Sequence, residues 1–140
     1  MPNLHPAFVH FPIALLTISL VADFAGKVLG NESLVKTGWW TLLLGFLGLA
    51  LAIMTGLLAR GNVQIPLDAV RFLDSHEQIA FIVTSFFGFL LFWRINAKRD
   101  LPRHYSWGYI ALSLVGVVLM WIGAWHGGEM VYRFGVGVAH

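Results

Sequence analysis

The chain has 140 residues, 58% of them hydrophobic and only 11% charged, with a mean hydropathy of +0.75. Soluble domains carry roughly 25% charged residues, so this composition cannot cover a soluble surface, whereas a bilayer-facing surface needs no charge. The net charge of +2 provides no basic stripe for nucleic acid, and the absence of cysteine excludes disulfides, thiolate metal sites, cysteine nucleophiles, iron–sulfur clusters and covalently attached c-type haem.

The N-terminal stretch lacks the basic region of a secretory signal, and its apolar run contains Pro12 and His10, which points to a retained first helix. Pro2 stands where myristoylation would need a glycine. Four apolar stretches follow in order, at about 9–29, 39–58, 76–95 and 107–126. Each approaches the ~20 residues that span ~30 Å of hydrocarbon. The connections hold the turn formers and charges: Gly30 to Ser33, Arg60 to Ser75 with Pro66, and Lys98 to Ser106 with Pro102. The expected fold is therefore all-α, a single transmembrane domain arranged as an up-down-up-down four-helix bundle. Asp74 and Ser75 are candidate N-caps for the third helix, which would place His76 in its first turn.

Lys27, Lys36, Arg94, Lys98, Arg99 and Arg103 flank the first and third connections, against Arg60, Arg71 and Arg133 elsewhere. By the positive-inside rule those two connections face the cytoplasm and both termini lie outside. Trp39, Trp40, Trp93 and Trp107 then mark one interface, and Trp121 and Trp125 the other. In this orientation His5, His10, His76, His126 and His140 share the outer face, and only His104 lies on the cytoplasmic side. Small residues recur at helical steps, at Gly45, Gly48, Ala52 and Gly56, at Ala80, Thr84 and Gly88, and at Gly116, Gly123 and Gly127. Such stripes let membrane helices pack closely.

A faint internal repeat aligns His10-x-x-Ile13-Ala14 and Ser19 with His76-x-x-Ile79-Ala80 and Ser85. It would make the two helix pairs parallel repeats about an axis along the membrane normal, with His10 facing His76 at equal depth. Two nitrogens from separate helices in an apolar pocket are what haem b requires, with His126 as the alternative partner and Phe8, Phe11, Phe81, Trp121 and Trp125 as surrounding aromatics. A copper or zinc centre is the second possibility, drawing on His5, His10, His76, His126 and Glu129 or Glu77. His126 and Glu129 share a face only if the helix continues past Gly127 and Gly128. His5 and His10 are five residues apart, about 140° around a regular helix. They could join at one ion only if Pro6 held them on an extended arm, with the helix starting near Phe11.

Asp23 is the one acid well inside a span, a position that raises a proton relay. Lys27, one turn on, offers it a simple i,i+4 partner, as Arg133 does for Glu129. Tyr132 and the stretch from Gly135 to Val138 suggest a turn or short extended segment over the outer face, which the glycines permit. No phosphate loop, Ser-His-Asp set or carboxylate pair is present.

Three motifs together, Leu4-His5-Pro6-x-x-Val9-His10-Phe11-Pro12-Ile13, His76-x-x-x-Ala80, and Gly127-Gly128-Glu129-Met130-Val131-Tyr132 with Gly135 to Val138, resemble a family of small bacterial four-helix membrane proteins catalogued as a domain of unknown function. The resemblance covers essentially the whole chain, implies a bacterial inner-membrane protein, and is similar in pattern to small b-type cytochromes. The expected function is a membrane cytochrome with its haem near the outer leaflet, passing electrons from a quinone or membrane redox partner to an extracytoplasmic acceptor. A homodimer sharing the site is one arrangement for so thin a bundle. The alternatives are a copper- or zinc-handling membrane protein or transporter, and a non-catalytic scaffold or assembly subunit.

Overall fold

The structure, a computed structural model, describes residues 5–137. Leu4, Val138 and His140, as well as Pro2, lie outside the described residues. Five α-helices follow one another: α1 (His5–Phe8), α2 (His10–Leu29), α3 (Glu32–Arg60), α4 (Val70–Asn96) and α5 (Ser106–Tyr132), with a 3₁₀ turn at Leu67–Ala69 and no strand among the described residues. α1 and α2 form one span of 25 residues, and the other three spans have 29, 30 and 27. At 1.5 Å per residue each exceeds the ~30 Å of hydrocarbon, so their ends project into the headgroup layer. There polar residues belong in the helix, which is why the helices outrun the apolar stretches.

α2 and α3 pack as one hairpin and α4 and α5 as another, with α2 against α5 and α3 against α4 closing the ring. This is the up-down-up-down membrane bundle. The first hairpin has the tightest connection. Gly30, in the left-handed conformation at φ 62°, ends α2, and Asn31 N–H bonds to Gly26 O at 2.9 Å. Asn31 then caps α3 by accepting from Ser33 and Leu34 N–H. Left-handed φ is nearly free for glycine and costly for other residues. The core is Leu16, Leu42, Leu49, Val83, Phe87, Leu90, Val117 and Met120, while Phe92, Trp107, Trp121 and Trp125 point outward as a lipid-facing surface does.

Three local expectations change. α4 begins at Val70, not at Asp74 or Ser75, because Pro66 ends the loop and the 3₁₀ turn that follows it nucleates the helix. His76 consequently lies in the second turn of α4. α1 is helical from His5, so no extended arm exists between His5 and Phe11. Finally, α5 continues through Gly127 and Gly128 to Tyr132, because packing in the bundle outweighs their weak helix propensity.

At the end of the bundle where α2 meets α3, Asp23 is paired with Arg94 of α4, not with Lys27. Both are essentially sealed from solvent. Arg94 also donates to Val35 O at 2.8 Å and lies over the Tyr109 ring at 5.5 Å. Its Nε reaches Arg99 O at 3.4 Å, which ties down a loop where Lys98 and Arg99 adopt φ of 58° and 70°. A solvated Lys27 could not compensate a carboxylate buried between helices, whereas the planar fork of arginine can.

Candidate functional site

The opposite end of the bundle holds a cavity of about 410 Å³. Its walls are mostly apolar, from Pro12, Leu49, Ile79, Met120 and Val131, and three histidines reach it: His5, His10 and His76. α1 carries His5 against α3, where its ring rests on Gly56 and its Nδ1 lies 3.2 Å from Thr55 Oγ1. The Thr55 hydroxyl donates its single proton to the carbonyls of Leu51 and Ala52 one turn back, so it accepts from His5. α4 carries His76 against α5, where its Nδ1 donates to Gly123 O at 2.9 Å and its ring rests on Gly127. A carbonyl only accepts, so this bond fixes the neutral tautomer with the lone pair on Nε2. The two rings meet with centroids 6.2 Å apart and planes at 81°.

The glycines decide how close the rings come. A Cβ on Gly56 would lie 3.1 Å from His5 Cε1, and one on Gly127 would lie 3.2 Å from His76 Cε1. Both glycines belong to stripes that the sequence marks as helix packing; here they seat imidazoles. Arg60 and Glu77 form an ion pair that joins α3 to α4 on the wall of the cavity, with Asp74 4.0 Å from the guanidinium.

The structure brings His5, rather than His10, into contact with His76. Because α1 and α2 are nearly continuous, the five-residue spacing turns His10 about 140° away from His5. His10 is exposed, and its Nδ1 donates to Pro6 O at 2.6 Å. His126 does not line the cavity: its Nδ1 donates to Ile122 O at 2.9 Å, and its ring sits among Phe72 and Trp125. Glu129 pairs with Arg133 at 3.7 Å, away from the cavity. His104 is exposed in the loop before α5. Among the described residues no group of three or more His, Asp or Glu side chains is placed to hold a metal ion.

Sequence reasoning missed Thr55 and the seating role of Gly56 and Gly127. A hydroxyl followed by a glycine on a helix that must face an imidazole was the available signal. It also missed Arg94 as the partner of Asp23, although an arginine and an aspartate at matching depth in two apolar stretches suggest a pair.

An apolar four-helix membrane bundle with an inward-facing histidine pair at one end is the class that fold and site define. The chain belongs to the family described as "Predicted membrane protein (DUF2231)", whose model matches residues 1–140. No curated protein and no solved structure matches it.

Proposed function

We propose that the protein is an integral-membrane b-type cytochrome, with His5 and His76 as the two axial ligands of one haem. The observation that carries this reading is the pairing of two imidazoles from different helices, 6.2 Å apart, inside an apolar cavity. Imidazole nitrogens lie about 2 Å from a bound metal, so two rings on opposite sides of one iron have centres roughly 6 Å apart. The donor set favours haem over the copper or zinc alternative. A zinc site draws three or four ligands from the protein, whereas a porphyrin brings four of its own and asks for two.

The chain's own residues hold and tune such a group. Gly123 O accepts from His76 Nδ1, which orients the ring and raises the basicity of Nε2. Thr55 does the same for His5 through its hydroxyl. The lining is mostly apolar, and such an environment would shift the redox potential of a bound group. The haem supplies one-electron chemistry when bound. On the lysine and arginine distribution, the site faces outward from the bacterial inner membrane, with both termini outside. A quinone or a membrane redox protein is the natural donor there.

The visible spectrum of detergent-purified protein after haem-replete expression tests the proposal. A Soret band is expected that His5→Ala and His76→Ala shift or abolish, while His10→Ala, His126→Ala and His104→Ala leave it in place. A colourless protein sinks the cytochrome reading. Stoichiometric copper or zinc without haem would favour the metal-handling alternative.

A further inference from the structure

The two ends of the bundle treat their exposed cations differently. At the cavity end Arg60 pairs with Glu77 and Arg133 with Glu129, which leaves Arg71 alone. At the other end Lys27, Lys36, Lys98, Arg99 and Arg103 are all exposed. None of them is within ion-pair reach of a carboxylate among the described residues. Asp23 is already neutralised by Arg94, and Asp100 accepts from Leu101 N–H at 2.8 Å. Glu32 stands one turn before Lys36 without pairing with it. Unpaired positive charge therefore remains where the span ends meet the headgroup layer.

Three of these cations are gathered at one place. Arg94 donates to Val35 O on α3 and to Arg99 O, which draws the α4–α5 loop against the start of α3. The Arg99 guanidinium lies over the buried Trp39 ring at 5.7 Å. Lys36, three residues before Trp39, shares that face of α3. Lys98 and Arg99 hold consecutive left-handed φ of 58° and 70°, a conformation that glycine adopts readily and larger residues resist. Lys98 N–H to Ile95 O at 3.0 Å and Arg99 N–H to Arg94 O at 2.9 Å fix the loop there, with both side chains exposed. We infer that Lys36, Lys98 and Arg99 form a binding site for the phosphodiester of an anionic glycerophospholipid. The arginine fork matches two phosphate oxygens, and the lysines add point charges. The exposed Trp40 ring, 6.5 Å from that of Trp39, suits the glycerol layer beside them. A lipid fits better than a soluble anion because the cations sit at the headgroup level of a spanning bundle. The site uses the end opposite the histidines and does not rest on the cytochrome reading.

The experiment equilibrates the full chain, in an uncharged detergent, with equal amounts of dioleoylphosphatidylglycerol and dioleoylphosphatidylcholine. Native mass spectrometry then reads which lipid stays bound. Wild type should retain phosphatidylglycerol in clear excess over phosphatidylcholine. Lys36→Gln and Arg99→Gln should each cut that preference roughly fivefold, the worth of one cation near an anionic surface. Arg99→Lys keeps the charge and loses the fork, so it should also lower the preference, whereas a diffuse surface charge would leave it unchanged. Arg71→Gln, an exposed cation at the other end, should have no effect. Lys36→Gln, a change on the surface of α3, decides the matter if substitution at Arg99 disturbs the loop. Equal retention of the two lipids by wild type overturns the inference. So does an Arg99→Lys protein with the wild-type preference, or an Arg71→Gln protein that loses as much as Lys36→Gln. Displacement of the lipid by inorganic phosphate would assign the cations to a soluble anion and overturn it as well.

Discussion

Asp23 and Arg94 form an ion pair sealed from solvent that links the first helical hairpin to the second. Arg94 crosses from α4 to reach α2, and its second terminal nitrogen bonds to Val35 O on α3. Three of the four spans therefore converge on one guanidinium, and Tyr109 of α5 supplies a ring beneath it. A bundle whose lipid-facing surface gains nothing from hydrophobic burial needs such fixed points to settle which helix lies beside which.

Removing one partner leaves the other charge buried and uncompensated, which costs about 3–5 kcal/mol. Asp23→Asn and Arg94→Met should each lower stability by about that amount in detergent, read from thermal or denaturant unfolding. The double variant Asp23→Leu with Arg94→Met should recover much of the loss, since it leaves no lone charge. Single variants that unfold with the wild type would show that the pair holds nothing together.

Gly38 makes room for that carboxylate. A Cβ at this position would fall 1.9 Å from Asp23 Oδ1, and Ser19 bonds to Gly38 O at 2.8 Å, so the two helices cannot separate to accommodate it. Gly38→Ala should destabilise by at least the 1–3 kcal/mol typical of overpacking. Gly108, with no atom near its missing side chain, is the control. Gly108→Ala should be neutral or should stabilise by about 0.5–1 kcal/mol through helix propensity. Unfolding midpoints measured side by side check both.

The bundle was legible because the bilayer imposes it: runs of apolar residues of one length leave few other folds open. The cavity end was half legible. His76 stands out as a histidine among apolar residues; the apparent repeat sets it opposite His10, whereas the structure sets it beside His5, with His10 also lining the cavity. The helical phase between His5 and His10 brings His5, not His10, beside His76 once α1 is known to be helical. Proline at positions 6 and 12 concealed that, because it is compatible with a helical first turn and with an extended arm alike. Arg94 was obscured differently. Its place near a span end fits a topology determinant, and only the depth of Asp23 on another helix turns it into a buried partner.

Gly56 and Gly127 give a spectroscopic prediction. Each would place a Cβ 3.1–3.2 Å from a histidine ring, tighter than ordinary van der Waals contact, so alanine there must tilt the imidazole. On the cytochrome reading, Gly56→Ala and Gly127→Ala should shift the Soret band or weaken haem retention with little change in helix content. Gly128, adjacent to Gly127 but with nothing near its missing side chain, should tolerate alanine without spectral change. Equal spectra for the Gly127 and Gly128 variants would remove the seating role.

Arg60 and Glu77 also join the two hairpins, at the cavity end, but their surroundings differ from those of Asp23 and Arg94. The side chains are 49% and 22% exposed, against 0% and 1% for Arg94 and Asp23. Water screens the pair and solvates whichever partner is left alone, which holds its value to roughly 0–1 kcal/mol. Arg60→Ala and Glu77→Ala should therefore cost no more than about 1 kcal/mol each, clearly less than the loss of Arg94. On the cytochrome reading, neither should change the Soret band, because the His5 and His76 anchors lie elsewhere, on Thr55 and Gly123. Unfolding of the four single variants, at positions 23, 94, 60 and 77, in one detergent and at two salt concentrations makes the comparison. Salt should weaken the Arg60 contribution and leave that of Arg94 in place, since screening acts on exposed pairs and much less on buried ones. A loss at Arg60 as large as at Arg94, or insensitive to salt, would mean that the cavity wall is closed to water.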